Sequence, residues 1–360
     1  MKAVYIHIPF CDHICSYCDF PKLLSSTNYQ EKYLEALRKE IDTNYKNEII
    51  ETIYIGGGTP SSLCLSSLKK LLDIVSIFKT SNLEYTFEAN IESIDEDKLK
   101  LLKDYGVNRI SIGIESFKDK YLKYLNRNYE TKDIVPTIEL VKKYFENINV
   151  DLMYAFPNQT IEELEEDIDE FLKLDVKHIS TYSLIIEPNT VLYNKHTKNI
   201  DEDLDYQMYE LINNKLSNYH HYEVSNFSVK GYESKHNLVY WHNENYYGFG
   251  LGASGYIGNM RYTNTRSINE YFNQNYILDK HELDKQETME NEFMLGLRLL
   301  EGIDINDFKD KYQMDIMDYK NVKKLLENNK LILENNRLFI NPKDIYISNE
   351  ILIDLIWLIR

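Results

Sequence analysis

The first half of the chain alternates regularly between β-rich and helical segments, and this alternation constrains the fold more than any other feature. Six β-rich runs occupy residues 3–8, 52–56, 84–89, 109–114, 149–154 and 178–185. The segments between them have helical periodicity. In "TIEELEEDIDEFLKLD", for example, Ile161, Leu164 and Ile168 recur about one turn apart. Six consecutive strand–helix units predict an α/β fold with a parallel sheet, either open or curled into a partial (β/α)6 barrel.

A different pattern begins after about residue 190 and predicts additional domains. Residues 194–205 are polar and charged, and a Gly- and Tyr-rich segment with short β-like pieces covers 222–266. Further on, "NKLILENNRLFINPKDIYIS" resembles two short strands around an Asn-Asn turn, which with its flanking helices predicts a winged-helix-like unit. We therefore predict a partial barrel over 1–195, a middle segment over 196–285 and a smaller C-terminal α+β domain over 286–360.

The formal net charge of −17 argues against a general binder of nucleic acid or of acidic membranes, because nothing would attract phosphates over long range. It leaves room for a local basic pocket. No run of eighteen apolar residues is present, and the apolar stretch after Met1 and Lys2 is too short for a signal peptide. We therefore expect a cytoplasmic protein in which clustered thiols serve as metal ligands or redox groups.

Three of the four cysteines, Cys11, Cys15 and Cys18, fall within eight residues directly after the first predicted strand. In parallel α/β folds, chemistry gathers in the loops after the strands. Thiolates suit zinc, iron–sulfur clusters and Cu(I). A structural zinc site takes four ligands, so one interpretation adds His7 or His13 to the three thiols. In the other, three thiolates hold a four-iron cluster and leave one iron open for a substrate or cofactor.

Polar groups at other strand ends support a site at the same edge of the sheet. "GGGTP", residues 56–60, follows the second strand, where glycines permit either a sharp turn or close backbone approach to a ligand. Glu88 ends the third strand and Asp151 lies in the fifth, and carboxylates in otherwise apolar strands are costly unless they have partners. Cys64 lies in a helical pattern, where we expect a buried structural thiol.

The spacing C-x3-C-x2-C, with Tyr17 just before the last cysteine, resembles the signature of the radical S-adenosylmethionine (SAM) superfamily. The resemblance implies a [4Fe-4S] cluster held by Cys11, Cys15 and Cys18, with the amino and carboxylate groups of SAM on the open iron. An electron from the reduced cluster would then cleave SAM to methionine and a 5′-deoxyadenosyl radical.

Further motifs narrow the resemblance to the oxygen-independent coproporphyrinogen-III oxidase-like family. In family order they are "YIHIPFC", "GGGTP", "RISIGIESF", "DLMYAFPNQT", "YSLIIEPNT" and "EFMLGLRL". The resemblance implies a set of SAM-binding residues, namely Tyr5, Gly57, Gly58, Thr59, Glu88, Glu115, Arg127, Asp151 and Ile185. The members other than Tyr5, Gly57 and Glu88 match contacts to a second SAM in the family's dehydrogenases. Arg127 would pair with a SAM carboxylate, whereas Glu115 puts a carboxylate where the family usually has a neutral Gln.

Two features resemble the HemW-type heme chaperone branch of this family more than its dehydrogenases. Phe20 stands where the dehydrogenases usually carry a fourth cysteine, and the cysteine loop comes without their N-terminal extension. "HNLVYW" resembles the H-N-x-x-Y-W motif of the chaperones, which implies that four residues are heme-associated: His236, Asn237, Tyr240 and Trp241. Imidazoles can ligate heme iron and aromatic rings can cover the macrocycle. From the residues alone, the alternative is a polar knot with aromatic core residues, and His242 and the His220–His221 pair are further candidate ligands.

The resemblance therefore implies a heme chaperone that binds a [4Fe-4S] cluster, SAM and heme and delivers heme to apo-hemoproteins of the respiratory chain. A peripheral membrane contact with such a partner is compatible with this function, and a nucleic-acid partner is not expected. The enzymatic alternative is an oxygen-independent coproporphyrinogen III dehydrogenase, which decarboxylates two propionates of a porphyrinogen. A third interpretation is a zinc-stabilised α/β binding protein. The sequence assigns no catalytic residue and no oligomeric state.

Overall fold

The computed structural model describes residues 2–357, so the end of the predicted segment 286–360 lies outside the described residues. The strands in chain order are β1 (Ala3–Ile8), β2 (Phe10–Cys11), β3 (Leu23–Leu24), β4 (Ile49–Gly57), β5 (Lys79–Asn90), β6 (Arg109–Glu115), β7 (Asn147–Tyr154), β8 (His178–Ser183), β9 (His220–Glu223), β10 (Asn226–Ser228), β11 (Tyr246–Phe249), β12 (Ser254–Ile257), β13 (Met260–Asn264), β14 (Ile277–Glu282), β15 (Ile303–Asp304), β16 (Leu331–Glu334) and β17 (Arg337–Ile340).

The α-helices in chain order are α1 (Thr27–Asn44), α2 (Leu65–Val75), α3 (Glu96–Asp104), α4 (Asp119–Tyr124), α5 (Ile134–Lys142), α6 (Ile161–Lys173), α7 (Val191–Asn194), α8 (Glu202–Lys215), α9 (Lys235–Trp241), α10 (Ile268–Phe272), α11 (Lys285–Gly296), α12 (Ile305–Tyr312), α13 (Val322–Glu327) and α14 (Ser348–Trp357). Short 3₁₀ helices cover Pro60–Ser62, Thr131–Asp133, Ile316–Asp318 and Pro342–Ile347. Within the described part of the chain, no helix is both long and apolar enough to cross a membrane.

The six predicted strands form a continuous parallel sheet in the order β1-β4-β5-β6-β7-β8, which confirms the predicted α/β arrangement. The strands are apolar and mostly buried, as expected for a parallel sheet covered by helices. Helix α6 shows how the sequence builds this layer. Thr160 and Glu163 form a capping box at its start, and Leu164 and Ile168 lie in the core.

The Gly- and Tyr-rich segment extends this sheet at both edges. Strand β11 pairs in parallel with β1, and β12 to β14 continue antiparallel beyond it. At the opposite edge, β10 pairs antiparallel with β8 and with β9. The middle of the chain therefore completes the barrel sheet at its two edges.

The sheet curls into a partial barrel, and helix α9 lies across its interior. The amide of Ser234 donates to the Tyr222 hydroxyl on β9 at 3.3 Å, while the amides of Lys235 and His236 donate to Glu84 on β5 at 3.1 and 3.0 Å. One short segment thus connects opposite sides of the concave sheet. We call the C-terminal ends of the parallel strands the mouth of the barrel, and the end covered by α9, beside Thr52 and Glu84, the floor.

A second hydrophobic core lies in the C-terminal part of the chain, around Phe293, Phe308 and Leu355. Its sheet has the order β15-β17-β16, and helices α11 to α14 pack with it. Asn335 and Asn336, both at positive φ, connect β16 to β17. Asparagine tolerates this conformation well, and two such residues make a tight hairpin turn. The predicted Asn-Asn turn and winged-helix-like unit are confirmed.

Candidate functional site: a thiol-lined cavity at the barrel mouth

A cavity of about 460 Å³ opens at the mouth of the barrel. All three clustered cysteines border it, together with eight of the nine residues predicted to bind SAM: Gly57, Gly58, Thr59, Glu88, Glu115, Arg127, Asp151 and Ile185. Tyr5 lies behind this lining, with its hydroxyl 3.1 Å from Nδ1 of His7. Loops that are far apart in sequence therefore meet at one edge of the sheet, as the strand order requires.

The three thiols at the mouth are free, and polar donors lie beside two of them. The Thr59 hydroxyl donates to the Cys11 sulfur at 3.6 Å, and Nη1 of Arg127 donates to the Cys15 sulfur at 3.5 Å. Burial raises the pKa of Cys11 to about 11, so this thiol is protonated unless a metal or cluster takes it as thiolate. A Cβ at Gly58 would lie 2.9 Å from the Cys11 sulfur, so only glycine fits beside this thiol.

His7 holds the loops at the mouth together. Its Nε2 lies 2.8 Å from the carbonyl oxygen of Pro21, and its Nδ1 is taken by Tyr5. Burial lowers the pKa of His7 to about 4, so the imidazole is neutral at pH 7. With both nitrogens engaged, His7 does not offer a fourth ligand to a zinc ion. Among residues 2–357, no three His, Cys, Asp or Glu side chains lie close enough together to hold one metal ion between them.

Glu88 fixes the glycine loop after β4. Its Oε1 accepts from the Tyr54 hydroxyl at 2.6 Å, and its Oε2 accepts from the amide of Gly57 at 3.0 Å. Burial raises the pKa of Glu88 to about 7. A Cβ on Gly56 would lie 2.7 Å from the same carboxyl group, and Gly57 has φ of +117°, which favours glycine. The carboxylate thus determines the path of the backbone at the cavity wall.

Glu115 and Arg127 form a buried ion pair with an Nη1–Oε1 distance of 3.7 Å. The Tyr17 hydroxyl donates to Glu115 at 3.0 Å, and Nη2 of Arg127 donates to the Gly113 carbonyl at 2.7 Å. Burial raises the pKa of Glu115 to about 7, although the guanidinium opposes this rise. Burial also raises the pKa of Asp151, which accepts from the Asn149 side chain at 2.8 Å. The mouth therefore places buried carboxyl groups near the guanidinium of Arg127.

Exposed apolar side chains form part of the outer rim of the cavity. Phe20 is 59% exposed and Ile185 is 63% exposed, and Tyr182 and the buried Met153 also line the cavity. No sequence motif identified Tyr182 or Met153 as site residues. Strand alternation could have found Met153, because residues two apart in a strand point to the same face and Asp151 was already selected.

The expectation that Cys64 is a buried helical thiol is wrong. Helix α2 begins at Leu65, so Cys64 is its N-cap residue and lies partly exposed at the helix end. Its sulfur is 3.3 Å from the Ser66 hydroxyl and 3.2 Å from that of Ser67. An apolar pattern does not mark the first residue of a helix, which is why the burial was mispredicted.

The HNLVYW motif lies at the floor, away from the cysteine loop. His236 is only 1% exposed, with Nδ1 2.8 Å from the Thr52 hydroxyl and Nε2 2.8 Å from the Tyr240 hydroxyl. Burial lowers the pKa of His236 to about 3. Its ring nitrogens are both occupied, so in this conformation His236 has no free lone pair for an iron atom. His236 is therefore a buried helix residue of the floor whose ring is held by two side-chain hydroxyls.

The rest of the motif continues toward the surface. The ring of Tyr240 packs at 4.6 Å from that of Tyr246, and the guanidinium of Arg298 lies 5.0 Å from the Trp241 ring. His242, which follows the motif, is exposed and borders two adjoining clefts of about 460 and 690 Å³. The exposed imidazole in this region is therefore that of His242.

A parallel partial barrel with three free thiols after β1, glycines from the end of β4 into the following loop, and buried carboxyl groups on β5 and β7 defines a radical SAM-type protein. The radical SAM superfamily model matches residues 5–171, and the HemN C-terminal domain model matches residues 283–347. The solved coproporphyrinogen III oxidase (HemN) of Escherichia coli has the same fold, with a TM-score of 0.87, 18% identity and coverage of 99% of this chain and 90% of that one.

Curated relatives specify the family. The chain is 43% identical over 332 residues to the heme chaperone HemW of Bacillus subtilis, with coverage of 87% of both proteins. It is 40% identical to HemW of Lactococcus lactis, covering 87% of this chain and 85% of that protein, and 33% identical to HemW of Escherichia coli, covering 83% of each. The chain belongs to the HemW family of the radical SAM superfamily, which confirms the resemblance seen in the sequence.

Proposed function

We propose that this chain is a heme chaperone that binds a [4Fe-4S] cluster, SAM and heme and delivers heme to apo-hemoproteins of the respiratory chain. The observation that carries the proposal is the cavity at the mouth, where three free thiols lie beside eight residues predicted to bind SAM. The similarity of this chain to curated heme chaperones supports the same function. We also propose a cytoplasmic location and a division of the chain at about residues 195 and 285 into barrel, heme-associated and C-terminal segments.

The donors at the mouth fit a cluster. Cys11, Cys15 and Cys18 would hold three irons, and the N–H of Arg127 and the hydroxyl of Thr59 would stabilise two of the thiolates as charge-assisted donors. The bound cluster supplies an open iron for SAM and a single electron. The chain itself keeps the neighbouring carboxyl groups in place through fixed hydrogen bonds.

The walls of the cavity fit SAM. Gly57 and Gly58 present bare backbone, Glu88 and Asp151 supply carboxyl groups for an ammonium, a sulfonium or ribose hydroxyls, and Ile185 offers an apolar surface to the base. Arg127 would bind the SAM carboxylate, but its pairing with Glu115 already neutralises it. We therefore propose one SAM per chain at this mouth.

We propose that heme binds at the surface where α9 ends. Tyr240 and Trp241 would pack near the macrocycle, and His242 is the exposed imidazole that can reach the iron. His236 and Asn237 would hold α9 in place through hydrogen bonds on its inner side. Transfer to another protein requires reversible binding at an accessible surface, which agrees with open clefts on both sides of His242.

Anaerobic reconstitution tests the cluster. We expect about four iron and four sulfide per chain, as for one [4Fe-4S] cluster. A single tightly bound zinc ion would overturn this part of the proposal. Incubation with coproporphyrinogen III, SAM and a reductant should leave the tetrapyrrole unchanged, and formation of protoporphyrinogen would favour the dehydrogenase instead.

Heme titration tests the chaperone function. Wild type should give a shifted Soret band, and His242→Ala should weaken heme binding about tenfold or more, since an axial ligand is lost. His281→Ala, a change at an exposed histidine on β14, is the matched control and should bind as wild type does. Equal affinity in His242→Ala and wild type would remove His242 from the site, and no heme binding by wild type would overturn the chaperone proposal.

A further inference from the structure

A continuous line of contacts runs through the barrel from the floor to the mouth. At the floor, the ring of His236 lies against that of Tyr54, with 5.1 Å between centroids and 34° between planes. Tyr54 then donates its hydroxyl to Glu88 at 2.6 Å, and Glu88 accepts from the amide of Gly57 at 3.0 Å. Three side chains therefore connect the HNLVYW motif to the glycine loop of the cavity.

The lower end of this line is rigidly held. His236 is hydrogen-bonded at both ring nitrogens, by Thr52 and Tyr240, and its own amide donates to Glu84. Rotation of the imidazole would break two buried hydrogen bonds, which costs more than rotation of a free ring. The ring therefore gives Tyr54 a fixed surface to pack on.

The upper end is held by hydrogen bonds to one carboxyl group. The Tyr54 hydroxyl and the Gly57 amide are its two described donors, one on each oxygen. If the Tyr54 hydroxyl were removed or displaced, the Glu88 carboxyl would lose a donor and its orientation. The backbone at Gly56 and Gly57 would then shift as well, because Gly56 packs directly against that carboxyl group and the Gly57 amide donates a hydrogen bond to it.

We propose that His236 and Tyr54 are positioning residues for the SAM site, which act through Glu88 on the backbone of Gly57. The buried part of the HNLVYW motif would then help to position the SAM site at the mouth, while its exposed end would contact heme. The inference rests on the proposed binding of SAM at the mouth.

The test measures SAM affinity in the reconstituted full chain, together with the change that SAM causes in the EPR spectrum of the reduced cluster. Tyr54→Phe should weaken SAM binding about tenfold, the usual scale for one hydrogen bond to a charged group. His236→Ala should weaken it several-fold, and His236→Phe, which keeps an aromatic ring against Tyr54, should recover part of the loss. Iron and sulfide content should stay at the wild-type level in all three.

Two control variants separate positioning from general damage. Tyr85→Phe removes a buried hydroxyl on the neighbouring strand that has no hydrogen-bond partner among the described residues, and His281→Ala removes an exposed imidazole. Both should bind SAM as wild type does. A purely structural role for His236 would lower cluster content along with SAM affinity.

Amide hydrogen exchange in the cluster-free protein gives a second readout. Gly57 and Gly58 should exchange faster in Tyr54→Phe and His236→Ala than in the two controls. Unchanged SAM affinity and unchanged exchange in these variants would overturn the inference while the proposed function stands. If wild type with a full cluster did not bind SAM, the proposed function would fail and the inference with it.

Discussion

The mouth and the floor of the barrel use similar residue types for opposite purposes. At the mouth, three free thiols and several carboxyl groups border an open cavity. At the floor, His236 and Glu84 are sealed, and every ring nitrogen of His236 has a partner. The difference shows that a histidine in a family motif need not be a ligand. What surrounds the side chain decides whether it can bind a metal or instead holds other residues in place.

The largest effect should come from the cysteines at the mouth. Cys15→Ser should abolish cluster assembly, because two remaining thiolates cannot hold a cluster in place of three. Cys64→Ser is the matched control, since this thiol lies outside the cavity at the start of α2. Iron and sulfide analysis after anaerobic reconstitution checks the prediction. Equal cluster content in the two variants would show that the cavity thiols are not the ligands.

The buried ion pair at the mouth should give the next largest effect. Arg127→Met leaves the Glu115 carboxylate buried without its counter-charge and should lower the free energy of unfolding by about 3 kcal/mol at pH 8. The loss should be smaller at pH 5, where Glu115 is protonated because burial has raised its pKa to about 7. Denaturant unfolding of the cluster-free protein measures both values.

Two variants complete this test. The double change Arg127→Met with Glu115→Gln should recover most of the stability, since no charge is then left unpaired. Arg38→Met breaks an exposed ion pair with Asp42 and should cost less than about 1 kcal/mol. A loss at Arg127 no larger than that at Arg38 would contradict the buried pair.

The two ends of the barrel should also respond to pH with opposite signs. The pKa of Glu88 is raised by burial from 4.5 to about 7, so the folded state keeps a proton that the unfolded state loses, and stability falls as pH rises through that window. The pKa of His236 is lowered by burial from 6.5 to about 3, so stability falls as pH decreases below 6.5. One pKa unit corresponds to about 1.4 kcal/mol, so each contribution is on the order of 3 kcal/mol between pH 4 and pH 7.

Unfolding measured from pH 4 to pH 8 separates these contributions. Glu88→Gln should lack the decline in the free energy of unfolding that wild type shows between pH 4.5 and 7. His236→Phe should lack the increase in the free energy of unfolding that wild type shows as pH rises to 6.5. If both variants changed the pH profile in the same direction, the assignment of a protonatable carboxyl to the mouth and a neutral imidazole to the floor would be wrong.

The smallest effect should come from the rim. Phe20 is exposed, so Phe20→Ala should change the free energy of unfolding by less than about 0.5 kcal/mol. The equally large Phe87 lies fully buried on β5, and Phe87→Ala should cost about 3–5 kcal/mol. Denaturant unfolding of the two variants measures the contrast, and a large loss at Phe20 would show that the rim contributes to folding.

The sequence predicted the six parallel strands, the cysteine loop and the glycine loop because each has a local signal: apolar runs, ligand spacing and turn residues. It did not predict that β11 pairs with β1, since no local pattern encodes a partner about 240 residues away. The burial of His236 could not be predicted from the sequence either. Its ring partners come from β4 and from its own helix, and only the curl of the sheet brings Thr52 beside it.

The position of β11 has a consequence for how the protein is made. Strand β1, which supports the cysteine loop, is flanked by β4 on one side and by β11 on the other. During translation at roughly 5–20 residues per second, Phe249 leaves the ribosome roughly 10–50 s after Ile8. Through that interval β1 has an unpaired edge, which is prone to pairing with other chains. The cysteine loop is therefore held on both sides only late in synthesis, after β11 has emerged.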